Sequence, residues 1–175
     1  MNDNRTLVAG VGNIFLGDDG FGVETVRALT SRQLPGHVEV MDIGIRGVHL
    51  AYQLLDGYDT LVLVDATARG SEPGTLHLIE AGASDGTSTP GGTDGTGGTA
   101  DGVPLDGHRM SPDAVLALLD TLCAGTGAHP PRRTFVVGCE PARVDEGIGL
   151  SPQVAAAVPE AVRMVMDLVH HTALT

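Results

Sequence analysis

Residues Thr6–Gly22 read TLVAGVGNIFLGDDGFG, an apolar run that breaks into glycines and then into two adjacent carboxylates. Thr6–Val11 has the composition of a short buried strand stopped by Gly12. A strand that opens into glycines commonly starts a phosphate cradle, in which backbone amides at a helix N-terminus hold the anion. The dinucleotide form of that cradle needs a third glycine where this chain has Phe15. Asp18 and Asp19 then stand where a pyrophosphate would lie, and unpaired carboxylates beside a phosphate repel it. A cation suits these side chains better. Asp42, placed to meet a ribose at the end of a second strand, keeps a dinucleotide-binding module as an alternative.

Working outward, apolar positions at Val23, Val26 and Leu29 give a helix over Glu24–Leu34 that Pro35–Gly36 terminates. Val38–Met41 is a second strand ending at Asp42. Gly47–Leu55 places Val48, Ala51, Leu54 and Leu55 on one helical face. Thr60–Val64 (TLVLV) is the most continuous apolar run and ends at Asp65. Thr75–Ile79 alternates, as an edge strand does. Gly82–Gly107 is a low-complexity Gly/Thr-rich stretch with too few apolar side chains to offset ordering entropy, and is expected to be a flexible insertion. Ser111–Pro112 and Ser151–Pro152 each set a capping hydroxyl before a proline suited to the first helical position. Those helices reach about Cys123 and His170, and Thr134–Gly138 between them is a fifth strand. The alternation predicts one α/β domain over 1–175, a mainly parallel sheet covered by helices on both faces. Ligands in such sheets bind beyond the carboxyl ends of the strands, where Asp19, Asp42, Asp65 and Glu140 fall.

Composition narrows the function. Lys and Arg number 10 against 22 for Asp and Glu, a formal charge of −12, which excludes a phosphate-backbone binder. No apolar run approaches a membrane span, and MNDNRTL lacks a secretory core, so the protein is expected in the cytoplasm. Cys123 and Cys139 read as buried thiols, with no CxxC spacing. The GxSxG pattern occurs only as GASDG (82–86) inside the low-complexity stretch, HExxH does not occur, and no Cys/His pair suggests covalent catalysis. Asp18 and Asp65 each have a bland reading as a helix-dipole or capping residue. Two carboxylates with an imidazole instead make a donor set for a divalent transition metal. Among the seven histidines, His37, His49 and His77 lie in or beside regular elements, His129 in a Gly/Pro turn, and His170 and His171 at a helix end. His108 lies in a loop before the Ser111 cap.

With these residues in view, the chain resembles the hydrogenase maturation proteases. The segments GVGNIFLGDDGFGV, MDIGIRGVHL, LVLVDATARGSEPGTLHLIE, a histidine before an SP-initiated helix, and VVGCEP with GLSPQV carry the likeness nearly end to end. The resemblance implies a twisted sheet sandwiched by helices, about five strands in three layers. It also implies an aspartic-type endopeptidase that cuts the C-terminal extension from the large-subunit precursor of a nickel–iron hydrogenase after nickel insertion. The family's metal-binding trio falls on Asp19, Asp65 and His108, and its substrate-handling D-x-G segment on Asp42 and Gly44. Nickel is expected to arrive with the substrate, with no permanent cofactor. The bound metal either polarises the scissile carbonyl or docks the substrate while a carboxylate serves as general base, and docking is the preferred role. A non-cleaving checkpoint on the metallated precursor, or an α/β peptidase with another substrate, would use the same residues.

Overall fold

A computed structural model describes residues 4–81 and 112–172. Five strands form one sheet: β1 (Thr6–Val11), β2 (Val38–Gly44), β3 (Thr60–Ala66), β4 (Leu76–Ala81) and β5 (Arg133–Cys139), in the order β2-β1-β3-β5-β4. All pairings are parallel except β4 with β5. Helices α1 (Phe21–Leu29) and α4 (Pro152–Thr172) cover one face; α2 (Gly47–Leu54) and α3 (Pro112–Thr126) cover the other. The chain is the three-layer α/β sandwich that the alternation of elements predicts.

The strands serve two cores because successive side chains point to opposite faces. Val8, Val62, Val64, Phe135 and Val137 pack on α1 and α4, whereas Leu7, Ala9, Leu61, Leu63 and Val136 pack on α2 and α3. Their two-sided burial explains why β1 and β3 read as unbroken apolar runs. The predicted insertion and the Ser111 cap lie outside the described residues. Among the described residues no helix is long and apolar enough to cross a membrane.

The first helix departs from expectation at both ends. A 3-10 turn, Gly17–Gly20, feeds straight into α1 at Phe21, three residues early. The helix stops at Leu29 because the hydroxyls of Thr30 and Ser31 donate to the carbonyls of Arg27 (2.6 Å) and Ala28 (2.8 Å), closing the last turn locally. Pro35–Gly36 therefore lies beyond the helix end. The strand order places a switch between β1 and β3: from β1 the chain crosses outward to β2, then returns over β1 to β3. In open α/β sheets the ligand crevice lies at such a switch, past the carboxyl ends of the strands.

Helix α1 sits so close to the switch that Gly22 has no room for a side chain. A Cβ there would come within 2.0 Å of the Val64 carbonyl and 2.4 Å of the Val11 carbonyl, both backbone atoms. Gly22→Ala is expected to cost about 1–3 kcal/mol by forcing α1 off the sheet. Urea unfolding checks this, and an unchanged midpoint would contradict the close approach.

Candidate active site

The two aspartates after β1 face opposite ways. Asp18 is fully buried, and its carboxylate accepts from the amides of Ala142 (2.8 Å), Arg143 (3.1 Å) and Ser151 (2.7 Å) and from the Ser151 hydroxyl (2.9 Å). Burial pushes this carboxyl up, but the four donors outweigh it and hold it below the ordinary carboxylate range. Asp18 is thus a tether between the 3-10 turn and the β5–α4 loop, not a helix-dipole residue. Ser151, expected as a simple helix cap, gives both its donors to Asp18.

Asp19 turns toward β3. Its Oδ2 accepts from the amide of Asn13 (2.8 Å), which curls the loop back over the end of β1. Gly12, at φ +134°, makes the curl possible: a Cβ there would lie 1.9 Å from the Asp19 carbonyl and 3.6 Å from Oδ1 of Asp65. Asp65, near the end of β3, is partly buried. Desolvation, followed by the charge of Asp19, pushes its carboxyl up to about 7, and a hydrogen bond from the Ala66 amide only partly opposes this. No described Lys or Arg forms an ion pair with Asp19 or Asp65. A carboxyl raised to about 7 beside a second carboxyl is an arrangement open to a cation or to proton transfer.

The loop leaves little for an anion. The amides of Gly12, Asn13, Phe15, Leu16, Gly17, Asp18 and Asp19 all donate within the protein, to Gly44, Asp19, Asn13 (side chain and carbonyl), Gly147, Arg143 and Leu16 respectively. A phosphate cradle needs such amides free, so the dinucleotide alternative is not supported.

Asp42 and Gly44 border the same edge. Gly10 pairs with Asp42 but Val11 pairs with Gly44, so Ile43 is the extra residue of a bulge. The bulge lets the Gly44 carbonyl accept from Gly12 (2.9 Å) and leaves the Asp42 carboxylate exposed, 3.6 Å from Arg27. Arg46 is occupied locally, donating to the carbonyls of Asp42 (2.9 Å) and Ile43 (3.3 Å). Glu140, expected at the ligand edge, is buried and accepts from the amides of Arg69 (2.7 Å) and Gly70 (3.2 Å); it braces the β3–β4 loop. Sequence reasoning missed that bracing role and the Asp18 tether, since both join segments remote along the chain. His108 lies outside the described residues. Among the described residues no cluster of three or more His, Cys, Asp or Glu is placed to hold a metal ion, so Asp19 and Asp65 lack a third such donor there. Cys123 and Cys139 are free and buried, as expected.

Comparison with known proteins follows this geometry. The family model described as hydrogenase maturation protease matches residues 23–83. The Escherichia coli (strain K12) hydrogenase 2 maturation protease is 34% identical over 167 residues, covering 93% of this chain and 88% of that protein. The chain belongs to the hydrogenase maturation protease family. The coenzyme F420 hydrogenase subunit delta of Methanothermobacter thermautotrophicus is 30% identical over 174 residues, covering 94% of each chain. Among solved structures, the hydrogenase maturating endopeptidase HybD from E. coli superposes with a TM-score of 0.69 at 29% identity, over 96% of this chain and 93% of that one. A hydrogenase 2 maturation peptidase from a Thaumarchaeota archaeon gives 0.65 at 26% identity, over 94% and 97%.

Two stability measurements separate the neighbouring carboxylates. Asp18→Asn is expected to lose about 2–4 kcal/mol at pH 7, because a buried set of donors loses its ionised acceptor. Asp65 behaves oppositely. Its folded-state pKa lies above the ordinary 3.8, so native stability falls as pH rises from about 4 through 7. Asp65→Asn should remove that penalty, gaining up to roughly 4 kcal/mol at pH 8 and nothing below pH 4. Urea unfolding of the metal-free protein at both pH values checks the sign, and equal stability of variant and wild type at pH 8 contradicts it.

Proposed function

We propose that this hydrogenase maturation protease is the endopeptidase that removes the C-terminal extension of a nickel–iron hydrogenase large-subunit precursor once nickel is inserted. The observation that carries the reading is the coupled pair Asp19 and Asp65 at the β1/β3 switch, which no described cation neutralises. Membership of the family supports peptidase activity, and the donor chemistry supports recognition of a cation brought by the substrate. His108, carried over from the family pattern, supplies the third donor of an incomplete shell, leaving positions for groups of the precursor.

Nickel, held by the precursor, would offer a charge that orients the substrate. Asp19, fixed by the Asn13 amide, would be one of the residues that hold the incoming centre. Asp65, raised to about 7, would take a proton from the water that attacks the scissile carbonyl and pass it to the leaving amine. Such an aspartic-type mechanism needs no covalent intermediate, in keeping with the inert, buried thiols. Asp42 and Gly44 flank the entry and position the precursor chain through the bulged edge of β2. Free thiols fit a reducing, cytoplasmic setting.

Intact-mass spectrometry of purified precursor, with and without nickel, tests the reading. Wild-type protein should truncate only the nickel-loaded form, and Asp19→Asn or Asp65→Asn should reduce truncation at least about a hundredfold. Normal cleavage by either variant means the pair is not the working centre. Cleavage of the nickel-free precursor at the same rate removes the metal trigger.

A further inference from the structure

Exposed apolar side chains in the described residues are not scattered. All the large ones except Leu78 fall on two segments, each tied by hydrogen bonds to the loop that carries Asp19. On one side stand Phe15, Val144 and Ile148, with Phe15 60% and Ile148 80% exposed. Their two loops are stitched together: Gly147 donates to the Phe15 carbonyl (2.8 Å), Gly17 donates to the Gly147 carbonyl (2.9 Å), and Asp18 clamps the base. A cavity of about 480 Å³ opens beside Ile148, between this loop and the start of α4. The link to the acids is short, since the Phe15 amide bonds the Asn13 side chain and the Asn13 amide bonds Asp19.

On the other side stand Ile45, Val48 and Tyr52, from 39% to 56% exposed. Val48 and Tyr52 share one face of α2 at i, i+4 spacing. Ile45 follows Gly44, which is pinned to Gly12 beside the Asp65 carboxylate and the Asp19 backbone. Of Asp19, Asp42 and Asp65 at this edge, only Asp42 forms an ion pair with a described basic residue, Arg27 at 3.6 Å.

Holding large apolar side chains out in water on hydrogen-bonded loops is unusual unless another surface covers them. The floor is negative and each bank sets exposed apolar side chains among charged ones such as Arg143, Glu146 and Arg46, so a fitting occupant carries a positive centre with apolar side chains on both sides of it. We propose that these banks are the docking surface for the precursor polypeptide, whose segment around its cationic centre packs apolar residues onto Phe15 and Ile148 on one side and onto Ile45 and Val48 on the other. The inference rests on the proteolytic reading above and adds to it the surface that sets affinity and the residue class it selects. The banks add affinity to the recognition of the cationic centre by the acids, on which turnover depends.

Binding and cleavage are measured separately on nickel-loaded precursor. Ile148→Asp and Val48→Asp, each at an exposed position, should keep the melting temperature and raise the Kd about tenfold apiece, with kcat within about twofold. Leu78→Asp, outside both banks, should leave Kd unchanged. A Kd within twofold of wild type in both bank variants, a loss confined to kcat, or an equal loss in Leu78→Asp overturns the docking surface. If wild-type protein binds the precursor but leaves it whole, the proteolytic reading falls, and the Kd series still decides the docking surface. Wild-type protein that does not bind the precursor overturns both.

Discussion

The carboxyl edge of this sheet depends on one buried carboxylate. Asp18 gathers four donors from Ala142, Arg143 and Ser151, residues more than 120 positions away in the chain, and so fixes the glycine loop to the start of α4. An ionised group with its oxygens this well occupied offsets its own desolvation, and removing it would leave amides buried without acceptors. With the loop held, its backbone amides are consumed internally and its next residue, Asp19, is turned toward Asp65. One aspartate is satisfied so that its neighbour can be left unsatisfied. That contrast sets the electrostatics of the site.

The same division explains why a loop resembling a phosphate cradle presents carboxylates in place of free amides. A cradle works by presenting free amides at a helix N-terminus. Here the glycines allow tight approach, at Gly12 over the Asp19 carbonyl and at Gly22 on β1 and β3, but the amides close on the protein itself. What remains outward is carboxylate oxygen. Hard oxygen donors on a rigid, partly desolvated platform suit the positively charged visitor of the proposed function, which would bring ligands of its own.

Much of this was legible in the sequence. The bounds of β1 are those of its apolar run, and β3 ends on Asp65 and Ala66 as a strand buried on both faces should. The helical alternation was enough for the three layers. The roles of Asp18 and Asp19 were not separable, because adjacent residues differ in direction only once the loop is folded. Asp18 draws its donors from a loop that no local pattern links to it, and Glu140, which reads as a ligand-edge acid, is used to brace Arg69 and Gly70. Non-local hydrogen bonds leave no periodic signature. The end of α1 was misjudged for a simpler reason: Thr30 and Ser31 close the helix before the proline can.

The central claim is that Asp19 and Asp65 form one electrostatically coupled pair, held partly dry and without an ion-pair partner among the described residues. Carbon-detected NMR titration of the Asp65 side-chain carboxyl, in the metal-free protein and in Asp19→Asn, tests it most directly. The account predicts an apparent pKa near 7 that drops when the Asp19 charge is removed. Titration of Asp65 in the ordinary carboxylate range, unmoved by that substitution, would contradict it.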